Sequence, residues 1–599
     1  MDQIESIRNT LLFDDLGFFV FIGGLLVVLV ALGLRNKSKG KASGRYASLF
    51  EYLSHLGNWS RFPLTLYALI LIYAGSICLV SVWVYLEEGR FSVLDPDQVV
   101  FTLGVALIGA VLVFWVLYEK VFVPLDKNRF PLGTKWVGLP VTLSLPEKDR
   151  FEHLRIQGRA GTGKTTGFMF PQLIEDARGD CSAVFLDVKS PEGFDAIAGA
   201  WSEQGKKVIL FDPYHKACVG FEPLGPADKD ALSGIEEAVF GKVNTGANDT
   251  SLWFSGQERR LFSLVCQVVK RYKDRRQCCL PMVYELLERG LPSLQAAVTY
   301  CRDQEIQGKF EKHFQNKLRI PDIINGILNR IDLFSEPKIA AAFSRPDLDL
   351  NLLLREPTLL IIASPHSNPK VRLGASILLR AIMQKVYKKP VRAKTDGPPL
   401  FFYLDEFYAL HIPDMADFAN TSRSARAGLV TGLQSEEQLY RYERHEAASI
   451  LINTKTNVYL QGCDMTTCKR LSEQLGNHLV KDKRVSRSMK GGATISTGYV
   501  EKPLETPDSI QNLPLDEALI FTGGMRGFKV KRISSYKTGR YKKKIGLPAK
   551  AFRPTDEALA PPTYGDLDLP ELPSDGSAPN GPGSVLPPKL DDEEVLEFD

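Results

Sequence analysis

The sequence predicts an α/β fold built on a parallel sheet, interrupted by an all-α insert and preceded by transmembrane helices. Three observations predict it. A glycine-rich loop, Gly158 to Thr165, follows an apolar strand and opens a helix; later apolar runs end in acidic residues; and three long uncharged stretches lie near the amino end.

At 599 residues and 44% hydrophobic content the chain is too long for one core, which implies two or three folded units. The formal net charge of +4 hides an uneven distribution. From Ala551 onward 12 acidic residues face only Arg553 and Lys589, so that segment carries −10 and the rest +14. A basic body suits a polyanion, lipid headgroups or plain solvation. The nine cysteines form no CxxC and no Cys/His cluster, a pattern that fits reduced thiols in a cytoplasmic body better than a zinc site.

Gly17 to Leu34, Phe62 to Leu86 and Val99 to Tyr118 are uncharged runs of 18, 25 and 20 residues, each long enough to cross a hydrocarbon core as a helix. The first lacks the basic flank and small-residue cleavage site of a signal peptide, so it is expected to be retained. Arg35, Lys37, Lys39, Lys41, Arg45 and Arg61 fill the first loop; the second holds Arg90 among Glu87, Glu88, Asp95 and Asp97. The positive-inside rule then puts the amino terminus outside and everything after Lys120 in the cytoplasm, as expected for a multi-pass membrane protein.

Gly158, Arg159, Ala160, Gly161, Thr162, Gly163, Lys164 and Thr165 complete the pattern GxxxxGK[ST], and with Thr166, next in the helix, they are the expected nucleotide-binding residues. Glycines let backbone N–H groups close on phosphates, and the helix amino terminus favours the anion. Lys164 is expected on the β/γ-phosphates and the Thr165 hydroxyl on Mg²⁺, which makes ATP the expected ligand. Ala183 to Lys189 and Lys207 to Pro213 read as buried parallel strands ending in Asp187 and Asp212, with Asp187 and Lys189 as further candidates. Pro398 to Asp405 is another such strand. Asp405 is expected in the Mg²⁺ shell, with Glu406 polarising the attacking water. On the next strand, ending at Gln434, a glutamine can sense the γ-phosphate; Arg423 or Arg426 ahead of it can serve a neighbouring subunit's nucleotide or make surface ion pairs.

Apolar residues three and four apart predict helices over Ile235–Phe240, Trp253–Tyr272, Met282–Glu288, Leu294–Arg302 and Lys309–Phe334, an all-α domain at 229–341. It divides a nucleotide-binding domain at 131–228 and 342–548; residues 1–130 form the membrane region. Arg526 to Lys544 holds nine basic residues and no acidic one, with Phe528, Tyr536 and Tyr541 interleaved: either a nucleic-acid or headgroup contact or a solvated face. Residues 549–599, rich in proline and acidic, are expected to be disordered.

Taken together, these motifs resemble the type IV coupling proteins of conjugative transfer and type IV secretion, the TraG/TraD-like family. The resemblance runs from about Gly133 to Tyr536. It rests on Gly158–Thr165, Pro171 to Ile174, Asp187 to Lys189, Asp212 with Pro213, Leu404 to Phe407, and Arg423 eleven residues before Gln434. Gln438, Leu439, Asn453 and Leu471 to Gly476 complete it. It implies a RecA-like P-loop NTPase domain, a homo-hexameric ring under the inner membrane, and ATP-driven delivery of single-stranded DNA with its relaxase, or of proteins, to a type IV secretion channel. It also implies that Arg423 is an arginine finger and Gln434 a γ-phosphate sensor, with Lys164 and Glu406 completing the catalytic set. Effector or adaptor proteins would dock on the all-α domain or the acidic tail. Two features depart from the family pattern: three spans stand where two are usual, and Val188 and Ser190 replace the family's Pro and Gly. A receptor for protein effectors alone, a scaffold using nucleotide only for assembly, and an FtsK-like translocase are the competing readings; the helical insert and the missing winged-helix end weigh against the last.

Overall fold

The computed structural model describes residues 128–560, apart from 137–139, 242–248, 272–277, 315–317, 389–396, 407, 409, 411, 413, 488–492 and 554–558. The three expected spans, and most of the acidic tail, lie outside the described residues. Among the described residues no helix is long and apolar enough to cross a membrane.

The strands are β1 (Phe130–Trp136), β2 (Pro140–Leu145), β3 (Leu154–Gln157), β4 (Ser182–Asp187), β5 (Lys207–Phe211), β6 (Thr358–Ala363), β7 (Leu400–Leu404), β8 (Ala427–Leu433), β9 (Thr456–Tyr459), β10 (Asn477–Arg487), β11 (Ala493–Pro503), β12 (Glu517–Phe521) and β13 (Phe528–Lys531). Eleven of them form one sheet in the order β2-β1-β13-β12-β9-β3-β8-β7-β4-β6-β5. From β5 to β9 the neighbours run parallel. From β9 through β12, β13 and β1 to β2 they run antiparallel. The long ribbon β10–β11 stands apart and pairs only with itself.

The central parallel strands β4, β6 and β7 are predominantly apolar because both faces are covered. Alternation sorts them: Val184 and Leu186 of β4 join one core, Ala183 and Phe185 the other. The second core is closed by helices α1 (Phe170–Arg178) and α2 (Glu192–Glu203), with Trp201 buried and its indole N–H donating to the Leu173 carbonyl. The first core continues without a break into the helical insert, α3 (Lys229–Phe240), α4 (Asp249–Val269), α5 (Leu280–Glu288), α6 (Leu291–Tyr300), α7 (Gln304–His313) and α8 (Ile320–Arg330). Phe211, Phe221 and Phe343 stack edge-on at the seam, with centroids 5.5 to 6.2 Å apart.

Further along come α9 (Pro369–Tyr387), α10 (Met415–Thr421), α11 (Arg444–Ile452) and α12 (Met465–Leu475). Several helices begin earlier than their apolar periodicity predicts because a cap or an early proline starts them: Asp228 caps α3 through the Ala231 N–H, and Pro281 opens α5. The stretch expected as one helix, Lys309–Phe334, is broken between His313 and Ile320. Part of the segment expected as tail from 549 is tied to the fold. The Lys550 N–H donates to Ser202 and the Phe552 N–H to the Val208 carbonyl, so this segment is fastened along α2 and β5.

Candidate nucleotide-binding site

The carboxyl ends of β3, β4, β6, β7 and β8 share one edge of the parallel sheet, and the functional candidates gather there. After β3 the chain turns through Gly158 to Lys164 and enters a wide helical turn, Thr165–Met169, that continues into α1. Gly161 and Gly163 have φ of +78° and +80°. A Cβ on Gly158 would stand 2.7 Å from Leu460, so the loop is pressed against the strand beside it.

A cavity of about 270 Å³ opens over this loop. Ala160, Gly161, Gly163, Lys164, Thr165 and Thr166 line one wall; Asp187, Lys189, Glu192, Asp405 and Glu406 line the other. Gly158, Arg159 and Thr162 form the loop's stem: the Gly158 N–H donates to Leu433 and the Arg159 N–H to Gln461. Lys164 is buried, and its ammonium donates to the Gly158 carbonyl at 2.9 Å and the Arg159 carbonyl at 3.4 Å. Burial pushes its pKa down against the pull of Asp405 and Glu406. Thr165 donates its hydroxyl to Asp405 Oδ2. The other oxygen, Asp405 Oδ1, is buried without a partner, and burial raises the carboxyl above its ordinary value. An orphaned carboxylate oxygen beside a threonine hydroxyl is a donor set that fits a hard divalent cation. Gly432 of β8 makes room for it, since a Cβ there would lie 2.6 Å from Asp405 Oδ1.

Asp187 accepts from the N–H groups of Lys189 and Gly193, at 3.1 and 2.8 Å. Burial lifts its pKa to about 6. Glu406 has φ +48°, a left-handed conformation, and its carboxylate meets His366 Nε2 at 2.5 Å. Sequence reading missed His366. It lies three residues past the apolar strand β6, where the rule that found Asp187 and Asp405 would also have placed it. It missed Arg532 as well: the guanidinium donates to the carbonyl of Thr162 and, at 3.4 Å, to that of Gly163, holding the phosphate loop from behind.

Gln434 follows β8 at the same edge, half-buried, but does not line the cavity; its N–H donates to Gln438 Oε1 at 2.8 Å. Arg423 lies at the other end of β8, about 23 Å away along seven strand residues. It is exposed and paired with Glu152 at 2.9 Å, so the fold does not bring it to its own chain's cavity. Arg426 is tied to Glu147 at 3.1 Å. The basic segment Arg526–Lys544 is largely spoken for within the fold. Lys529 pairs with Glu505, Lys531 with Asp516, Arg540 with Glu175 and Lys544 with Glu203, while Arg532 serves the loop. These partners weaken the nucleic-acid reading of the segment.

A parallel sheet with a complete phosphate loop at its edge and an acidic pair at the end of β7, two strands from β3, defines the chain as a P-loop NTPase of RecA-like type. Residues 126–555 match the family described as type IV secretory system conjugative DNA transfer, and the chain belongs to that family: it is a coupling protein of type IV secretion. No curated protein matches. Among solved structures it is similar to the bacterial conjugative coupling protein TrwB lacking its first 70 residues, at 20% identity and TM-score 0.47, over 69% of this chain and 90% of that one. TrwB in complex with the non-hydrolysable ATP analogue ADPNP aligns at 19% identity and TM-score 0.47, over 74% and 100%. VirB4 of Thermoanaerobacter pseudethanolicus aligns at 11% identity and TM-score 0.43, over 70% and 99%.

Proposed function

We propose that the chain is a membrane-anchored ATPase that recruits a DNA–relaxase complex or protein cargo and hands it to the secretion channel, working as a homo-hexamer. The observation that carries this reading is the convergence of Lys164, Thr165, Asp405 and Glu406 on one cavity. Lys164 and the loop N–H groups hold the β/γ-phosphates of ATP. Thr165 Oγ1 and Asp405 would hold Mg²⁺, which when bound supplies neutralising charge on those phosphates. Glu406 takes the proton of the attacking water, and Gln434 reports the γ-phosphate. Arg423, exposed and tethered only by a surface ion pair worth at most about 1 kcal/mol, is free to turn to a neighbouring subunit's nucleotide. The uncharged runs at 17–34, 62–86 and 99–118 anchor the ring in the inner membrane with its ATPase in the cytoplasm.

ATP turnover by the purified full chain, with and without single-stranded DNA, tests this. Lys164→Ala should abolish turnover and Glu406→Gln should leave nucleotide binding but stop hydrolysis. A Glu406→Gln protein that still supports transfer at the normal rate would point to nucleotide-controlled assembly and overturn the motor.

A further inference from the structure

The β10–β11 ribbon has no place in the nucleotide chemistry, yet it is the longest strand pair of the described residues and is paired with nothing but itself. Its register sets Leu479 opposite Glu501, Lys481 opposite Tyr499, Lys483 opposite Thr497, and Arg487 opposite Ala493. With a period of two, positions 479, 481, 483, 485 and 487 share one face with 493, 495, 497, 499 and 501. By sequence that face carries three cations against one acid, interleaved with Leu479, Val485, Ile495 and Tyr499. Where the face meets solvent at the ribbon's base, Leu479 is 65% and Tyr499 70% exposed. Isolated exposed apolar residues are ordinary. An aromatic ring directly across from a lysine, with further lysine and arginine along the same row, is the composition of a surface that stacks bases and neutralises phosphates.

The ribbon's root joins it to the nucleotide site. The Arg159 N–H of the phosphate loop donates to the Gln461 carbonyl at 3.3 Å. Three residues later Asp464 caps α12 through the Thr467 N–H, and α12 ends at Gly476, φ +79°, where β10 begins. The Leu504 N–H closes the ribbon's base onto the Gly476 carbonyl at 2.9 Å.

We propose that the face of the β10–β11 ribbon bearing Leu479, Lys481 and Tyr499 is the surface on which this protein grips single-stranded nucleic acid. Tyr499 stacks on a base while Lys481 contacts a phosphate. This assignment rests on the DNA-transfer reading of the preceding section and names the element that touches the strand.

The test uses the full chain in detergent, a thymidine homopolymer as probe, and two readouts: binding by fluorescence anisotropy over a salt series, and ATP turnover with and without the oligonucleotide. Tyr499→Ala should weaken binding by roughly fivefold to a hundredfold, and Tyr499→Trp should restore it. Lys481→Glu should weaken binding and make log K against log salt shallower by about one unit. Both should keep the turnover measured without DNA. If wild type responds to the oligonucleotide and both variants respond equally, the ribbon assignment falls while the motor reading stands. If the variants lose self-association and bind DNA normally once assembled, the face is a subunit contact and the assignment is wrong. A wild-type chain that neither binds the oligonucleotide nor is stimulated by it overturns the DNA-transfer reading and the ribbon assignment together.

Discussion

Glu406 sits in a left-handed backbone conformation with its carboxylate held by His366. A non-glycine residue there costs of order 1–3 kcal/mol and persists only when its surroundings fix it. His366 is therefore a positioning residue for Glu406. Replacing it by Ala removes one hydrogen bond worth about 1 kcal/mol, so kcat for ATP should fall roughly fivefold with KM little changed, and His366→Gln should recover part of the loss. His153 gives a second prediction at this scale. It is buried, its Nε2 2.7 Å from the Ala419 carbonyl, and its Nδ1 accepts from the Leu429 N–H, so the ring is neutral. Burial lowers its pKa from 6.5 to about 4. The unfolded chain takes up the proton first, so its contribution is intact above about pH 6.5 and is lost as pH falls toward 4. Asp187, raised to about 6 by burial, acts in the opposite direction between 3.8 and 6 and partly masks the loss. The comparison must then be differential: between pH 7 and pH 5 wild type should lose about 2 kcal/mol more stability than His153→Gln, read from thermal melts.

Two elements steady the phosphate loop from opposite sides. Beneath α1, Asp176 receives both guanidinium nitrogens of Arg150 at 2.8 Å and the Tyr403 hydroxyl at 2.5 Å, all buried. This network ties the nucleotide helix to β7. Behind the loop, the strap after β13 lays Arg532 on the Thr162 and Gly163 carbonyls and bonds the Ser535 N–H to the Thr166 carbonyl. A charged hydrogen bond of this kind is worth about 1.5–3 kcal/mol. Arg532→Ala should raise the Kd for ATP roughly tenfold in a fluorescent-nucleotide titration while the folded content of the protein stays unchanged. Neither support has a local sequence signature. Arg532 looked like one cation among the nine of Arg526–Lys544, and only the strand pairing of β12 with β13 carries it to the loop.

At the scale of the whole molecule, the question is how one chain's Arg423 meets a nucleotide. In its own chain it stands at the far end of β8 from the cavity, so a catalytic role requires a neighbour. Lys164→Ala and Arg423→Ala should each be inactive alone. Mixed in equal amounts they should regain a fraction of wild-type turnover, because an Arg423→Ala subunit keeps an intact Lys164 and can borrow Arg423 from its partner. A mixture as inactive as its components would assign Arg423 to surface ion pairing.

The sequence by itself determined the phosphate loop, the strand-end acids and the helical character of 229–341. These are local signals: a fixed spacing, an apolar run with an acidic end, a period of three to four. It also placed Lys164, Thr165, Asp405 and Glu406 as candidates, because each sits where a parallel strand must end at a ligand edge. The tertiary structure decided what depends on distant pairing. It turned the basic segment inward onto Glu505, Glu175, Glu203 and the loop. It brought His366 to Glu406, and it carried Arg423 away from its own site. It also set the β10–β11 ribbon outside the main sheet, with Tyr499 and Lys481 on one face. Such contacts join residues up to hundreds of positions apart, and no local periodicity encodes them; only the order of strands in the sheet and the packing of its two faces bring them together.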